Sequence, residues 1–217
     1  MWQSSTYTLH SSSPKNRRGN DNLEQQAQAL FKAWFVDNAS HTGASISDFF
    51  LPNRGKNLLT SEARGGNIPV VAGGLTPSAY HDVANTKAPV ITISASGANA
   101  GYVNLWGTPV WSADSSYIDS YNVSNIYFWY NLLKYNQKKI FESQTGSAQP
   151  HIYPKHIGNL SIPDLNMETV EYYDSIVAPM HSRISEIQQE NRHLSDLRDT
   201  LLPKLMSGEL KINDLDC

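Results

Sequence analysis

The chain has 217 residues, of which 40% are hydrophobic and 17% charged, enough for one sizeable core or for one core with an elongated appendage. Its formal net charge of -3 argues against indiscriminate binding of polyanions, because such binding comes from Lys and Arg that neutralise phosphates. The single cysteine, Cys217, excludes a disulfide framework or a cysteine-based zinc site within one chain. No stretch approaches the roughly 18 apolar residues of a membrane span, and residues 1–20 lack the apolar region of a secretory signal. We therefore expect a cytoplasmic protein without a membrane partner.

Two segments precede the central part of the chain. Residues 1–20 are rich in Ser, Asn and Arg, so we expect them to be disordered or to be the remnant of a longer upstream segment. From Asp21 onward, apolar residues recur on one helical face, which predicts a helix over residues 21–38 with Asn20 or Asp21 as its N-cap. The apolar face comprises Leu23, Ala27, Leu30, Trp34 and Phe35.

Residues 43–165 hold most of the Gly and Pro together with short β-type runs, and they predict one globular domain. Within this domain, residues 123–143 show the periodicity of a helix. The combination predicts the α+β class. The β-type runs are 68–71, 89–94, 101–106 and 111–118, and the predicted buried face of the helix comprises Ile126, Trp129, Leu133 and Ile140.

Residues 166–205 carry a heptad pattern that is typical of a long coiled-coil helix. About 30 residues of apolar stripe form a rod of roughly 45 Å, which overhangs a domain of about 120 residues. We therefore favour packing of the stripe against another helix, the N-terminal helix of the chain or a helix of a second molecule, over the alternative, packing on the chain's own domain. Asn191 at an a position would fix the register of such a pair. We assign to the helix interface Leu30, Trp34, Val177, Met180, Ile184, Ile187, Asn191, Leu194 and Leu201.

The end of this helix is predicted from two residues. Pro203 is expected to end or kink the helix, because its ring removes a backbone hydrogen bond and disfavours helical geometry at the preceding residue. Gly208 can supply the left-handed stop. Residues 206–217 then form a C-terminal tail.

No motif of a stand-alone enzyme is found in the sequence. The stretch SASGANAGY, residues 94–102, matches neither G-x-G-x-x-G nor G-x-x-x-x-G-K-[ST]. His151 and His156 are close in sequence, but their spacing matches no helical pair of metal ligands. The G-x-S-x-G motif and the Asn-Pro-Pro-aromatic or Asp-Pro-Pro-aromatic motif of amino-methyltransferases are absent. We therefore expect no catalytic residue, no metal and no cofactor.

Small polar side chains in the predicted loops suit the reading of base edges, since Gln and Asn can bond adenine through two hydrogen bonds. Lysines of the same domain can hold phosphates. Residue chemistry alone favours the alternative, in which the glycines lie in hairpin turns and the polar residues cap turns. We assign DNA contacts to Lys87, Ser94, Ser96, Gly97, Asn99, Tyr102, Lys134, Lys138, Gly146, Ser147, Gln149 and His151.

Four stretches resemble a known family. LEQQAQALFKAWFVD (23–37) and LRDTLLPKLMSGEL (197–210) are similar to the two helical regions of the DNA-specificity subunits of bacterial type I restriction-modification systems. ITISASGANAGYVNLWGTPVWSADSSYI (91–118) and GSAQPHIYPKHIGNLSIPDL (146–165) resemble blocks of the target recognition domains of that family. The similarity extends from about Leu23 to the C-terminus.

The resemblance implies a non-catalytic subunit that binds double-stranded DNA and recruits methyltransferase and restriction subunits. Full family members carry two target recognition domains separated by antiparallel helices, whereas this chain carries one, so it resembles a C-terminal half or a half-length form. Two copies could pair their long helices antiparallel and read a symmetric, interrupted site. The alternatives are a helical protein interaction module or inactive fragment without sequence-specific DNA binding, and a stand-alone enzyme.

Overall fold

The computed structural model describes residues 14–37, 39–146 and 148–209, and it has the predicted α+β architecture: a sheet-rich domain and a long C-terminal helix. The domain contains two small sheets, and helices cover one face of the larger sheet. The strands are β1 (Asn53–Arg54), β2 (Ile68–Val71), β3 (Ala79–His81), β4 (Val90–Ser94), β5 (Val103–Trp106), β6 (Trp111–Ser112) and β7 (Ser115–Asp119). The helices are α1 (Pro14–Phe35), α2 (Ile126–Tyr135), α3 (Gln137–Glu142), α4 (Pro154–Gly158) and α5 (Met167–Met206). Short 3-10 helices span Ile46–Asp48 and Thr60–Glu62.

The larger sheet has the strand order β1-β7-β4-β5 and is antiparallel throughout. Its central strand, β4, is buried along its whole length. Ile91 and Ile93 belong to the main core with the helices, whereas Val90 packs with Val71 and Val110 in a second, smaller cluster. Because successive side chains of a strand point to opposite faces, coverage on both sides explains why all five residues of β4 are buried, including the polar Thr92 and Ser94.

The predicted run 111–118 is broken into two strands that belong to different sheets. β6 pairs parallel with β2 in the smaller sheet, of order β3-β2-β6, and β7 joins the larger sheet. The chain after β1 passes close to this break, because the Gly55 N–H donates to the Ser115 carbonyl at 2.8 Å. A Cβ atom at Gly55 would lie 2.4 Å from the Ala113 carbonyl oxygen, so only glycine fits there.

The predicted helix 123–143 is two helices, α2 and α3, that meet at Asn136. The Asn136 side chain donates to the Leu132 carbonyl at 2.9 Å, which is the local competition with helical hydrogen bonding that Asn is known for. The predicted buried face is confirmed despite the break: Ile126, Trp129, Leu133 and Ile140 are all buried.

Helix α1 is longer than predicted. It begins at Pro14, so the prediction of an N-cap at Asn20 or Asp21 is wrong; proline is well suited to the first helical position because its fixed φ matches the helix. The predicted disordered segment is therefore helical from residue 14, and residues 1–13 lie outside the described part of the chain. The domain-facing side of α1 buries Ala27, Phe31 and Phe35.

Helix α5 has 40 residues, a length of about 60 Å, and begins after the N-cap Asn166, whose side chain accepts from Thr169 N at 3.1 Å. Its first turns pack on α1 and α2 of the same chain. Val177 is fully buried there, and Leu30 and Met180 pack against the same core. The predicted packing of the long helix with the N-terminal helix is therefore confirmed, and the chain's own aromatic side chains cover these residues.

The C-terminal end of α5 lies beyond Pro203. Of the two predicted effects of Pro203, an end or a kink, the first does not occur, because the helix continues to Met206. A second proline, Pro179, also lies inside the helix. Gly208 has a φ of 75°, the left-handed conformation expected of a helix stop. Residues 210–217 of the predicted tail lie outside the described residues.

A buried polar network joins α1, α2 and α5. The ring of His181 stacks on Tyr127 with centroids 5.3 Å apart, and its Nε2 lies 3.0 Å from the Asn131 amide nitrogen. Gln28 of α1 donates to the Asn131 side-chain oxygen at 2.8 Å. Burial lowers the pKa of His181 to about 4, and the negative charge of Glu24 offsets only part of that effect.

The free energy of unfolding should therefore depend on pH through His181. The unfolded chain binds a proton at this residue below its ordinary pKa of 6.5, whereas the folded chain does not until about 4. The free energy of unfolding should have its full value above pH 6.5 and should fall by up to about 3 kcal/mol as the pH drops through this window. Urea unfolding from pH 7 to pH 4 measures it. His181→Gln should show a shallower decline, and equal slopes in both proteins would contradict the assignment.

Gly107 marks where the domain contacts the middle of α5. A Cβ atom at Gly107 would lie 1.9 Å from Ser185 Oγ and 2.5 Å from Ser185 Cβ, whereas one at Gly19 would meet nothing within 4 Å. Gly107→Ala should lower the free energy of unfolding by about 1–3 kcal/mol through overpacking. The control Gly19→Ala, on α1, should raise it by about 0.5–1 kcal/mol. A neutral Gly107→Ala would show that this contact is not tight.

Candidate nucleic-acid interface

Two of the predicted loops lie together where β4 ends. The chain following Ser94 packs against residues 144–152: the Ile152 N–H donates to the Ala95 carbonyl at 2.9 Å, and the Gly97 N–H donates to the Pro150 carbonyl at 3.0 Å. Ser96 and His151 also form a β-bridge. The structure thus brings together residues that are more than fifty positions apart in the sequence.

The second loop is closed by its own backbone. Thr145 and His151 exchange two hydrogen bonds of 3.0 and 2.8 Å. Gly146 has a φ of 94°, and a Cβ atom there would lie 2.4 Å from the Gln149 carbonyl oxygen. The Gln149 side chain is exposed and forms no hydrogen bond within the described residues. Ser147, also predicted to contact DNA, lies outside the described residues.

Other polar residues of the first loop are engaged in the fold. Ser94 is buried, and its hydroxyl donates to the Gly73 carbonyl at 3.1 Å. Asn99 donates to the same carbonyl at 3.4 Å, and the Ser96 hydroxyl donates to the Asp114 carboxylate. Burial takes the Ser94 hydroxyl out of reach of a duplex. For Ser94, the alternative that polar residues hold turns describes the structure better than base reading does.

Of the predicted lysines, Lys134 contacts the first loop and Lys87 does not. Lys87 precedes β4, at the opposite end of the sheet, and its ammonium lies 4.9 Å from the centre of the Tyr121 ring. Lys134 faces Tyr102 at 5.0 Å, and its nitrogen lies 3.9 Å from Glu24 of α1.

Lys138 is on α3, where its nitrogen lies 3.7 Å from a Glu142 carboxylate oxygen. Such exposed i, i+4 pairs contribute little to stability and hold the ammonium only loosely. Lys87 therefore lies apart from Lys134 and Lys138, which are on the consecutive helices α2 and α3.

Strand β1 carries a cation, Arg54, that was not among the DNA contacts predicted from the sequence. Arg54 pairs with Ser116 on the edge of the larger sheet, and its guanidinium carbon lies 5.9 Å from the centre of the Tyr153 ring. The Tyr153 ring in turn lies 6.1 Å from that of His151, with an angle of 16° between the planes. The stretch NRGK, 53–56, has neither the length nor the alternation of a predictable strand.

Two further cations lie near this edge. Lys56 follows Arg54, and its backbone is held by a hydrogen bond to the Ser112 carbonyl at 2.9 Å. Lys155 lies two positions after Tyr153. Burial, together with the positive charge of Lys155, lowers the pKa of His156. Arg54, Lys56 and Lys155 form no ion pair within the described residues, so their charges are available to an anionic partner. We call the combined surface the reading surface; it comprises Arg54, Lys56, Ser96, Gln149, His151, Tyr153 and Lys155.

The distal part of α5 has a different environment from its first half. Ile187 and Asn191 are buried by the same chain, and Ile184 is half-buried. Beyond them the helix extends past the domain: Leu194 is 52% exposed and Met206 is 80% exposed. Leucines recur on this overhanging segment, which we define as residues 194–206; they are Leu194, Leu197, Leu201, Leu202 and Leu205.

The described ranges contain neither a candidate metal site nor a candidate membrane-spanning helix. No group of three or more His, Cys, Asp or Glu side chains there could hold a metal ion. None of the helices in those ranges combines the length and the apolar character needed to cross a membrane.

Comparison with known proteins places this geometry in a family. The model of the type I restriction modification DNA specificity domain matches residues 44–171. The type I restriction enzyme MjaIX specificity subunit of Methanocaldococcus jannaschii is 34% identical over 89 residues, 41% of this chain and 21% of that protein. The putative type I specificity subunit S.MpnORF638P of Mycoplasma pneumoniae is 24% identical over 166 residues, 74% of this chain and 44% of that protein.

A solved structure has the same fold. The crystal structure of the S subunit of a type I restriction-modification system from M. genitalium superposes with a TM-score of 0.62 at 22% identity, over 88% of this chain and 54% of that one. The chain thus spans about half the length of the solved subunit, and less of the two curated relatives. Because the family model matches more than half of the chain, the protein belongs to the type I restriction-modification DNA specificity family.

Proposed function

We propose that this chain is a non-catalytic specificity subunit that binds one DNA half-site through residues 43–165. The observation that carries the proposal is the reading surface, where the rings of Tyr153 and His151 connect Arg54 with the loop of exposed Gln149, and where Arg54, Lys56 and Lys155 form no ion pair among the described residues. Gln and Arg can bond base edges through two hydrogen bonds each, and lysines can hold the phosphates on either side. The rigid backbone of the loops would hold these groups in place, because each loop is tied to the sheet by main-chain hydrogen bonds.

The charge distribution supports binding by this part of the chain alone. Residues 43–165 carry 8 Lys and Arg against 7 Asp and Glu, whereas residues 166–217 carry 5 against 10. The acidic excess of the second segment disfavours close contact between α5 and phosphates. DNA would therefore approach the domain and not the long helix.

The overhanging segment of α5 would serve as the spacer. Its exposed leucines lie beyond the chain's own domain, and apolar residues at this spacing are stabilised by packing against another helix. A second copy in antiparallel orientation would cover them and place two reading surfaces about a dyad. Such a dimer would read a two-fold symmetric, interrupted site.

Recruitment of methyltransferase and restriction subunits would use helices α1 and α5. Trp34 of α1 stacks on Tyr172 of α5 with ring centroids 5.8 Å apart, and both rings remain exposed, 37% and 64%. Exposed aromatic side chains are enriched at protein interfaces. This face lies on the helices and leaves the reading surface free for DNA.

Contacts to phosphates and contacts to base edges should respond differently to substitution. Lys56→Ala with Lys155→Ala should weaken binding to all duplexes alike and should reduce the slope of log K against log salt by about 1–2. Gln149→Ala should instead relax preference at one base pair by about 1–3 kcal/mol. Salt titrations and selection from randomised duplexes measure the two effects. Gln26→Ala, an exposed change on α1, is the control; a helical interaction module would show no salt-dependent binding at all.

The second prediction concerns the spacer. Leu194→Asp with Leu202→Asp should convert the dimer to a monomer at micromolar concentration, because both side chains would be buried between helices. Thr200→Asp introduces the same charge on the same helix and should leave the dimer intact. Sedimentation velocity distinguishes the species. A monomeric unsubstituted chain would contradict self-pairing without affecting the assignment of the reading surface.

A further inference from the structure

We propose that Arg54 is a specificity-determining residue that reads a guanine, and that Tyr153 is the positioning residue that holds its guanidinium ready. The inference rests on the proposed function, DNA half-site binding, and adds to it a base and a residue pair. It depends on three observations: the fixed position of β1, the unengaged guanidinium, and the ring cluster beneath it.

The backbone that carries Arg54 is held firmly. Arg54 is in register with Ser116 of β7, and the next residue, Gly55, donates to the Ser115 carbonyl at 2.8 Å. The close approach of Gly55 to the Ala113 carbonyl leaves no room for β1 to shift toward the sheet. Arg54 therefore projects from a fixed point on the sheet edge and not from a loop tip.

The Arg54 guanidinium differs from the other arginines that have charged partners. Arg64 is bound to Asp82 at 2.8 Å, and Arg183 is bound to Glu186 at 2.8 Å. Arg54 has no ion pair or hydrogen bond within the described residues, and the contact it does make is with the Tyr153 ring. A cation over a ring face keeps its N–H donors free, because the ring attracts the charge without accepting the hydrogen bonds.

Tyr153 is itself held by neighbouring rings. Its ring lies nearly parallel to that of His151 and meets the His156 ring at 74° with centroids 5.4 Å apart. The Tyr153 N–H also donates to His156 Nδ1 at 3.3 Å. The ring is thus fixed relative to His151, the residue that closes the loop carrying Gln149. The cluster of rings therefore connects Arg54 with the loop that carries Gln149, although the two residues come from different segments of the chain.

Guanine is the base that this arrangement fits. It presents two acceptors, N7 and O6, on its major-groove edge, and the planar guanidinium fork matches both at once. Lysine is a flexible point charge without the planar fork, so it matches the two acceptors less closely, whereas it binds a phosphate well. Holding the fork before binding reduces the side-chain entropy lost on complex formation, which favours a specific contact over a mobile one.

The test compares Arg54→Lys, Arg54→Ala and Tyr153→Phe in the full chain, with selection from randomised duplexes followed by titration. Arg54→Lys and Arg54→Ala should both lose preference for guanine at one position, by about 5- to 150-fold, with the other positions unchanged. Tyr153→Phe keeps the ring and should keep the preference, whereas Tyr153→Ala should weaken it. Arg183→Ala is the matched control, because it removes the same kind of side chain from α5, where Arg183 is bound to Glu186 at 2.8 Å, and it should leave the preference unchanged.

Each outcome has a distinct meaning. If Arg54→Ala weakens all sequences equally and Arg54→Lys restores binding, Arg54 holds a phosphate and the inference is overturned while the proposed function stands. If the unsubstituted chain selects a sequence that Arg54→Lys also selects in full, the inference is likewise overturned. If the unsubstituted chain selects no sequence, the proposed function fails and the inference fails with it.

Discussion

The packing of α1 and α5 on α2 is the constraint on which the rest of the structure depends. Phe31 and Phe35 of α1 meet Phe128 of α2 and Tyr173 of α5 in one aromatic cluster, and the Tyr173 hydroxyl donates to the Ala27 carbonyl at 2.8 Å. Each such ring contributes about 1.5–3 kcal/mol when fully buried. The cluster fixes both the direction in which α5 leaves the domain and the position of the sheet that carries the reading surface.

The helices could be predicted because helical periodicity is a local signal. The face of α2 and α3 containing Ile126 and Ile140 was recognisable even though Asn136 divides it, since the two helices continue on nearly the same face. The packing of α5 with the N-terminal helix was part of the predicted architecture, but periodicity alone does not show how far along α5 that packing extends. A heptad stripe shows that a face is buried and does not show by what; Val177 is covered by α1 and α2, whereas Leu194 is not.

The sheets and the reading surface were predictable only in part. The buried strands β2 and β4 carry enough apolar residues to be recognised, but β1 has two residues and acquires its role by pairing with β7, sixty positions later. Loop chemistry singled out two loops that the fold brings together, but it did not show which of their polar side chains are exposed. In the sequence, Ser94 and Gln149 are both polar residues of predicted loops. Only the fold shows that the Ser94 hydroxyl is buried in a hydrogen bond and that the Gln149 side chain is exposed.

The bond between Tyr173 and Ala27 spans 146 positions, and this has a consequence for biosynthesis. While the ribosome is still making the central domain, the part of the cover of α1 that α5 supplies is missing, because the first turns of α5 have not yet been translated. Closing so long a loop is slow relative to local helix formation. In the nascent chain, Phe31 and Phe35 therefore lack their contacts with Tyr173 until α5 is made, the period in which chaperones that hold apolar segments would engage it.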